Sequence, residues 1–244
     1  MNVNMQDKME LTVNAPKSDK GSYFSHGIET IGPGCTLIVE DAEVNSKAGK
    51  VDVTVSRDPG AGLSAMGIYC TIFEAKGNSK IWAEANTVKF NPEIPANEES
   101  MAIACRLLDA SGSSYIFADA SDFNSKQKGE GIEIQDEWYL ADDAVIESYG
   151  ANENAITTGT STIIELRSGY SPKLEFGPDE SDVDVVYTLK GQEYQKNTYA
   201  KISNKNTKIP VTGDTNNMML WVVLAIMAAG IATGTILKIK RTDK

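Results

Sequence analysis

The sequence predicts a mainly β protein: an antiparallel β-sandwich of the jelly-roll or Ig-like kind, followed by one C-terminal transmembrane helix. Between residues 30 and 202 the apolar residues form short runs that often alternate with polar ones, as strands with one buried face do. Turn-forming residues such as Pro59, Gly77 and Gly112 separate these runs. Near the C-terminus the segment 218–237 is apolar and carries no charge.

The segment 51–55 (VDVTV) alternates most clearly and predicts a strand with one Val face toward a core. Segment 101–108 fits either a strand or a helix capped by Asn97, and we expect a strand. Segments 183–189 and 192–202 flank Lys190 and Gly191 and predict a closing hairpin. The other candidate strands are 36–39, 67–73, 79–83, 115–118, 144–147 and 161–167.

A weak internal similarity recurs along the chain. Residues 67–77 resemble residues 102–112, and 35–40 forms a fainter third copy at the same 35-residue step. Three weak copies do not establish a repeat architecture. We therefore interpret them as similar strands entering similar turns, not as a solenoid.

Few residues are available for metal binding or nucleophilic catalysis. Cys35, Cys70 and Cys105 lie too far apart in sequence for a zinc site, so we expect buried thiols on strands and no metal or other cofactor. The one histidine, His26, lies in the Gly/Ser-rich stretch 21–27 and is expected in a solvated loop. We predict no catalytic residue and a protein that is not an enzyme.

The formal net charge of −11 makes nucleic-acid binding unfavourable, because an acidic surface repels phosphate backbones. Acidic residues such as Asp136, Glu137 and the run 179–184 are expected to form a solvated face, although a carboxylate pair that hydrolyses glycosidic bonds stays open. Trp82 and Trp138 fill a core or stack on sugars, and we favour the core.

The C-terminus has the features of a membrane anchor. A helix over 218–237 would extend roughly 30 Å, the thickness of the hydrocarbon layer. The tail 238–244 then holds four cations and one anion. The positive-inside tendency places this tail in the cytoplasm and the rest of the chain outside.

Directly before the span lies a pentapeptide: Ile209, Pro210, Val211, Thr212 and Gly213. Followed by a polar spacer, an apolar span and a basic tail, it resembles the LPXTG family of sortase substrates of Gram-positive bacteria, with Ile209 where Leu is usual. The resemblance covers residues 209–244. It implies that the cysteine of a sortase attacks the carbonyl of Thr212 and releases the chain from Gly213 onward. An amino group of a peptidoglycan precursor or of a pilin then accepts the acyl group.

The body fits three kinds of surface protein. Residues 48–60 are similar to the early strands of cohesin modules, which are jelly-roll sandwiches that bind dockerins, and 90–94 resembles their aromatic-Asp-Pro segment. The alternatives are an adhesin or pilin subunit and a wall-anchored carbohydrate-active hydrolase. We expect a non-enzymatic binding, adhesion or assembly subunit whose ligand is a protein or a glycan.

The predicted organisation has five parts: a polar N-terminal segment (1–29), a β-sandwich ectodomain (30–202, with a possible subdomain boundary near 150), a spacer with the sorting motif (203–217), the transmembrane helix (218–237) and the basic tail (238–244). Residues 1–28 contain no apolar signal-peptide region, so we expect a secretory leader that this sequence lacks. The expected location is the cell surface, inserted in the membrane before sorting and anchored to the wall afterwards. The ten residues between 202 and 212 reach at most about 35 Å, which would keep the domain low in the wall.

Overall fold

The computed structural model describes residues 2–5, 9–15, 18–19, 24–53, 62–86, 88–90, 97–121, 129–151, 154–189 and 196–205. In these residues the regular secondary structure consists of β-strands alone, which confirms the mainly β class. The chain divides into two units, 1–207 and 208–244, and the described residues all lie in the first. The sorting pentapeptide, the predicted span and the basic tail therefore fall outside the described residues. Within the described part of the chain, no helix is long and apolar enough to cross a membrane.

The chain winds in successive turns, which we call coils. Each coil runs from a strand of one sheet, around a corner, to a strand of a second sheet. The first coil holds β1 (Asn2–Met5), β2 (Glu10–Asn14) and β3 (Ser18–Asp19), and the second holds β4 (Phe24–Thr30), β5 (Thr36–Glu40), β6 (Glu43–Lys47) and β7 (Val51–Val53). The third holds β8 (Gly62–Lys76), β9 (Lys80–Glu84) and β10 (Val88–Phe90), the fourth β11 (Asn97–Ala110) and β12 (Tyr115–Asp119), and the fifth β13 (Glu130–Leu140) and β14 (Val145–Tyr149). The last strands are β15 (Ile156–Thr158), β16 (Ile163–Leu166), β17 (Pro172–Asp179), β18 (Asp182–Val186) and β19 (Tyr199–Asn204).

Successive coils stack in parallel. Sheet A is built on β1, β5, β8, β11, β13 and β15, with β4 beside β8 and β16 beside β13. Sheet B has the order β18, β17, β19, β14, β12, β9, β6, β2, and a short third sheet holds β10, β7 and β3. Thirteen of the sixteen pairings between described strands are parallel. The predicted antiparallel pairing is therefore wrong for most of the body, and the sandwich arrangement is not confirmed.

The interpretation that excluded a solenoid is also wrong, because the 35-residue step is the offset between the paired strands of the third and fourth coils. Ile68 on β8 lies beside Ile103 on β11, and Cys70 lies beside Cys105. In sheet B the same offset places β9 beside β12. The similar segments thus pair with each other directly, as neighbouring strands of one stack.

Antiparallel pairing is found at the C-terminal end of sheet B. Strand β19 lies between β14 and β17 and runs antiparallel to both, while β18 pairs with β17. The predicted hairpin between 183–189 and 192–202 is wrong in its partners, because β17 separates β18 from β19. Residues 190–195, which contain the predicted turn, lie outside the described residues.

Most of the strand positions predicted from the sequence are confirmed. Segment 101–108 lies inside the strand β11, and the candidates 36–39, 67–73, 79–83 and 115–118 coincide with β5, β8, β9 and β12. Those around 144–147, 161–167 and 183–189 coincide with β14, β16 and β18. Of the candidate 51–55, residues 51–53 form β7 and residues 54–55 lie outside the described residues. Alternation identifies a strand with one buried face, but it does not reveal which neighbour that strand will pair with.

The core consists of columns of similar side chains, one from each coil. In sheet A, Leu37, Phe73, Leu108 and Trp138 lie in register and are fully buried. In sheet B the matching column holds Val44, Ile81, Ile116, Ile146 and Ile202. Both columns belong to one hydrophobic cluster, so the two sheets share a core. Burial of branched apolar side chains is the main favourable contribution to the stability of such a stack.

The corners between sheets A and B use a column of left-handed residues. Asp41, Gly77, Gly112, Asp142 and Gly169 have φ values of 50°, 63°, 68°, 56° and 89°. Gly, Asp and Asn adopt this region most readily, which explains the Asp/Gly composition of these turns. Successive corners also bond to each other: the amide of Ser113 donates to the carbonyl of Gly77, and the amide of Asp143 donates to the carbonyl of Gly112.

Candidate functional site

The outer face of sheet B carries an unusual concentration of aromatic side chains. Side chains alternate along each strand, so that Ile81, Ile116 and Ile146 point into the core while the residue after each of them points outward. Five aromatic residues of sheet B point outward and together form what we call the aromatic face: Trp82, Tyr115, Phe117, Tyr149 and Tyr199.

Three of these rings pack against one another across β12, β14 and β19, and Trp82 on β9 lies beside Phe117 in the same row. Trp82 on β9 and Phe117 on β12 lie in register on adjacent strands, which are separated by about 4.8 Å. The ring centre of Phe117 lies 5.6 Å from that of Tyr149, and Tyr149 lies 5.0 Å from Tyr199. Both ring pairs are tilted, an arrangement that aromatic quadrupoles favour. The exposed side of Asn45, on β6, continues the same row beyond Trp82.

The buried carboxylate of Glu147 joins three strands of sheet B beside these rings. Glu147 accepts hydrogen bonds from the hydroxyls of Tyr115 at 2.8 Å and Tyr199 at 3.2 Å. Its other partner is the ammonium of Lys201, 2.7 Å away. The side chains of Glu147 and Lys201 are only 8 % and 12 % exposed, so this ion pair is largely shielded from water. It ties together β12, β14 and β19.

These contacts also set the chemistry of the phenols. Burial raises the pKa of Tyr115 well above its usual range, and the negative charge of Glu147 raises it further. The pKa of Tyr199 is raised for the same two reasons, in the same order. Both phenols therefore stay protonated and act as hydrogen-bond donors, which keeps the aromatic face uncharged and its rings fixed in position.

Trp82 and Trp138 take different places in the structure. Trp138 is fully buried, which confirms the predicted core position. Trp82 lies on the outer face of sheet B and keeps part of its surface exposed, so the core prediction is wrong for this residue. Trp138 lies on sheet A with its side chain in the core, whereas Trp82 lies on the outer face of sheet B, so their roles differ by both the sheet and the face on which they lie.

His26 does not lie in a loop, contrary to the prediction. It is on β4 with its side chain 9 % exposed, and its ring lies edge-on to Tyr69. Its Nδ1 atom is 2.7 Å from Glu29 Oε2, and its Nε2 atom is 2.7 Å from Ser64 Oγ. This is the order of groups in a serine, histidine and carboxylate relay. Ser64, however, is 97 % buried, and the relay joins β4 to β8 instead of presenting a nucleophile.

The other candidate residues identified from the sequence are either buried in the core or bonded to neighbouring strands and turns. Cys35, Cys70 and Cys105 are buried and form no disulfide; Cys70 and Cys105 lie on the strands β8 and β11 as predicted, whereas Cys35 lies just before β5. Burial raises the pKa of the Cys70 and Cys105 thiols. In the described residues no three His, Cys, Asp or Glu side chains converge as metal ligands would. The acidic residues Asp136 and Asp142 bond to Arg106 and to the amide of Gly112.

The sequence contained one indication of the aromatic face, the positions of its aromatic residues relative to the predicted strands. Trp82, Tyr115 and Tyr149 each stand near the start or end of a segment predicted to be a strand. Only parallel stacking of those strands brings them onto one surface. The sorting residues Ile209, Pro210, Val211, Thr212 and Gly213 lie outside the described residues and are not part of this geometry.

Comparison with known proteins gave no match: no family model, no curated protein and no solved structure is similar to this chain. A functional assignment therefore depends on the C-terminal sequence and on the geometry of the body.

Proposed function

We propose that this chain is a non-enzymatic binding subunit on a Gram-positive cell surface, attached to the wall through Thr212 by a sortase. The observation that carries this proposal is the order of parts at the C-terminus: Ile209 to Gly213, a polar spacer, an uncharged span and a basic tail. Pro210 favours a bent peptide without an amide donor, and the span would hold Thr212 at the outer membrane surface within reach of a membrane-bound sortase.

The way the chain leaves the body supports an anchoring role. Strand β19 is the last described strand before the spacer, and it is hydrogen-bonded on both sides, to β14 and to β17. A pull on Thr212 would act along β19. Because ladder hydrogen bonds lie across the strand direction, many of them would have to break together. The buried pair between Lys201 and Glu147 adds a further link from β19 to β14.

The body supports binding more than catalysis. Its outward-facing aromatic face is held in place by Glu147, whereas the one serine, histidine and carboxylate group has its serine buried. The parallel pairing does not favour the cohesin alternative, because that resemblance implied a jelly-roll sandwich.

The attachment can be tested in a Gram-positive host that expresses the chain behind a secretory leader. Wall material is released with a muramidase, and the C-terminal peptide is analysed by mass spectrometry. We expect a peptide that ends at Thr212 and carries a cell-wall cross-bridge. A peptide ending at Thr212 but joined to a lysine of another protein would support the assembly form of the same proposal.

Two threonine variants provide a matched comparison. Thr212→Ala should abolish release from the membrane fraction, while Thr215→Ala, the same change three residues later, should leave wall attachment intact. An intact chain ending at Lys244 and found only in membranes would refute sortase attachment, as would equal wall attachment of the two variants.

A further inference from the structure

The aromatic face differs from the other exposed apolar groups of the body. Large exposed hydrophobic side chains such as Phe24, Ile163 and Val185 belong to β4, β16 and β18 and have solvent on more than a third of their surface. On the aromatic face, by contrast, Trp82, Phe117 and Tyr149 are partly exposed, while Tyr115 and Tyr199 beside them are buried and hydrogen-bonded to Glu147. Such a surface offers flat ring faces in fixed positions, with few aliphatic side chains between them.

We propose that the aromatic face binds a neutral polysaccharide, with Trp82 and Phe117 as the stacking platform. This proposal depends on the proposed function for its biological setting, since it identifies the ligand class of the surface subunit. The axial C–H groups of a pyranose ring carry partial positive charge and pack against the negative face of an aromatic ring. Trp82 and Phe117 lie on adjacent strands about 4.8 Å apart, so together they offer a platform long enough for a sugar ring and its linkage.

Polar side chains border this platform where sugar hydroxyls would lie. Asn45 is exposed beside Trp82 in the same row, and its amide both donates and accepts hydrogen bonds. On the next row, Glu84 and Asp119 are partly exposed on the strands that carry Trp82 and Phe117. An aromatic platform with a small number of convergent polar groups is the usual composition of a site that binds a polar organic ligand.

Charge favours a neutral glycan over an anionic one. The whole chain carries a net charge of −11, which repels polyanions at long range. Three cations of this face are in ion pairs: Lys47 with Glu84, Lys173 with Glu175, and Lys201 with Glu147. Nucleic acids also stack on aromatic side chains, but their binding needs a groove with excess positive charge. A neutral sugar polymer meets none of these costs.

The Phe117 side of the platform is held in position before any ligand arrives. Tyr149 packs against both Phe117 and Tyr199, and its hydroxyl donates to Glu180 at 3.1 Å. Tyr199 is held in turn by Glu147. Because the rings are already ordered, binding a sugar would require little further loss of side-chain entropy.

The test uses the full chain purified in detergent and insoluble cellulose and chitin as neutral probes, with polygalacturonate as an anionic one. We expect co-sedimentation with at least one neutral polymer and none with polygalacturonate. Trp82→Ala should weaken that binding by about tenfold or more, as loss of a central aromatic contact does. Phe117→Ala should weaken it by a smaller factor.

The matched control is Phe24→Ala, which removes an exposed phenylalanine from β4 and should leave binding unchanged. Circular dichroism on each variant checks that the fold is kept, and Trp82→Phe, which keeps an aromatic ring, should recover part of the binding. The proposal is refuted if wild-type protein binds neither neutral polymer, if it binds only polygalacturonate, or if Trp82→Ala binds as Phe24→Ala does.

This test is independent of attachment to the wall. Thr212→Ala should bind the neutral polymer as well as wild type does, because it alters no residue of the aromatic face. Conversely, Trp82→Ala should still yield the wall peptide ending at Thr212. A loss of sugar binding alone would remove the glycan proposal, and a loss of the wall peptide alone would remove the sortase proposal.

Discussion

The two faces of sheet B are built from the same strands but follow different rules. On the inner face the same kind of residue recurs in every coil, as Ile81, Ile116 and Ile146 show. On the outer face the residues that follow them are Trp82, Phe117 and Glu147. Parallel stacking requires the core side chains of adjacent coils to fit the same space, whereas solvent imposes no such requirement. Repetition therefore marks the core, and variation marks the surface on which binding can develop.

The largest expected difference between the shared core and the outer face of sheet B comes from two tryptophans, Trp138 on β13 of sheet A and Trp82 on β9 of sheet B. Trp138→Ala should lower the free energy of unfolding by about 3–5 kcal/mol, because it leaves a cavity in the shared core. Trp82→Ala should lower it by about 1 kcal/mol or less, since its ring is partly solvated. Denaturant unfolding followed by far-UV circular dichroism measures both. Equal losses would show that the outer face is as much part of the core as the inner one.

The buried ion pair of the outer face should be the next most sensitive element. Glu147→Ala leaves the ammonium of Lys201 and two phenols without their acceptor, which should cost about 3 kcal/mol. Glu147→Gln keeps an oxygen acceptor for one phenol and should cost less. If Glu147→Ala unfolds at the same denaturant concentration as wild type, the carboxylate does not hold β12, β14 and β19 together.

The corner column can be tested with two glycines that share a left-handed φ. At Gly112 a Cβ atom would lie 2.7 Å from the backbone nitrogen and oxygen of Gly77, whereas at Gly34 nothing lies within 4 Å. Gly112→Ala should therefore cost about 3 kcal/mol, and Gly34→Ala only the backbone penalty of about 1 kcal/mol. Thermal unfolding of the two variants separates the contribution of stacking from that of φ. A larger loss for Gly34→Ala would contradict close stacking of the corners.

One substitution in the core behind the corners should raise stability. Ser114 is fully buried next to the corner, and among the described residues its hydroxyl has no hydrogen-bond partner. Ala144 occupies the equivalent position of the next coil. Ser114→Ala should stabilise the protein by about 1 kcal/mol, because it removes a hydroxyl that loses its hydrogen bonds to water on folding and gains none in the folded state. Its control is Ser148→Ala, which should destabilise, since the Ser148 hydroxyl donates to the carbonyl of Ala155 at 2.6 Å.

The smallest effect concerns the exposed corner itself. The amide and the side chain of Asn78 donate to the carboxylate of Asp41, and these bonds lower the pKa of Asp41. A carboxyl group whose pKa is lower in the folded state contributes stability above its unfolded pKa of about 4 and loses it as the pH falls through the folded value. The Asp41→Asn variant should not show this loss of stability at low pH.

A carbon-detected NMR titration of the Asp41 carboxyl group provides the direct measurement. In wild type it should titrate below the usual range of aspartate. In Asn78→Ala the pKa should rise only in part, because the backbone amide of residue 78, the stronger of the two causes, still donates. Titration of wild-type Asp41 at the ordinary value would contradict the corner contact.

Alternation and turn residues were enough to predict most strand positions and the burial of Trp138 and the cysteines. They did not predict parallel pairing, because a Gly- or Asp-containing corner between two strands reads in the sequence like a hairpin turn. The 35-residue step contained the missing information, but three weak copies were too few to establish a repeat architecture. His26 was missed for a related reason: Ser64, its partner, lies 38 positions away in the sequence.

The sequence by itself determined the mainly β class and most strand positions, because these depend on local patterns of apolar and turn-forming residues. It also holds the C-terminal pattern on which the proposal of sortase attachment depends. Only the tertiary structure decided the parallel stack, the separation of Trp82 from Trp138 and the assembly of the aromatic face. Each of these depends on which strands become neighbours. That choice is made by side chains about 35 residues apart that fill the same layer of the core, and no local pattern records it.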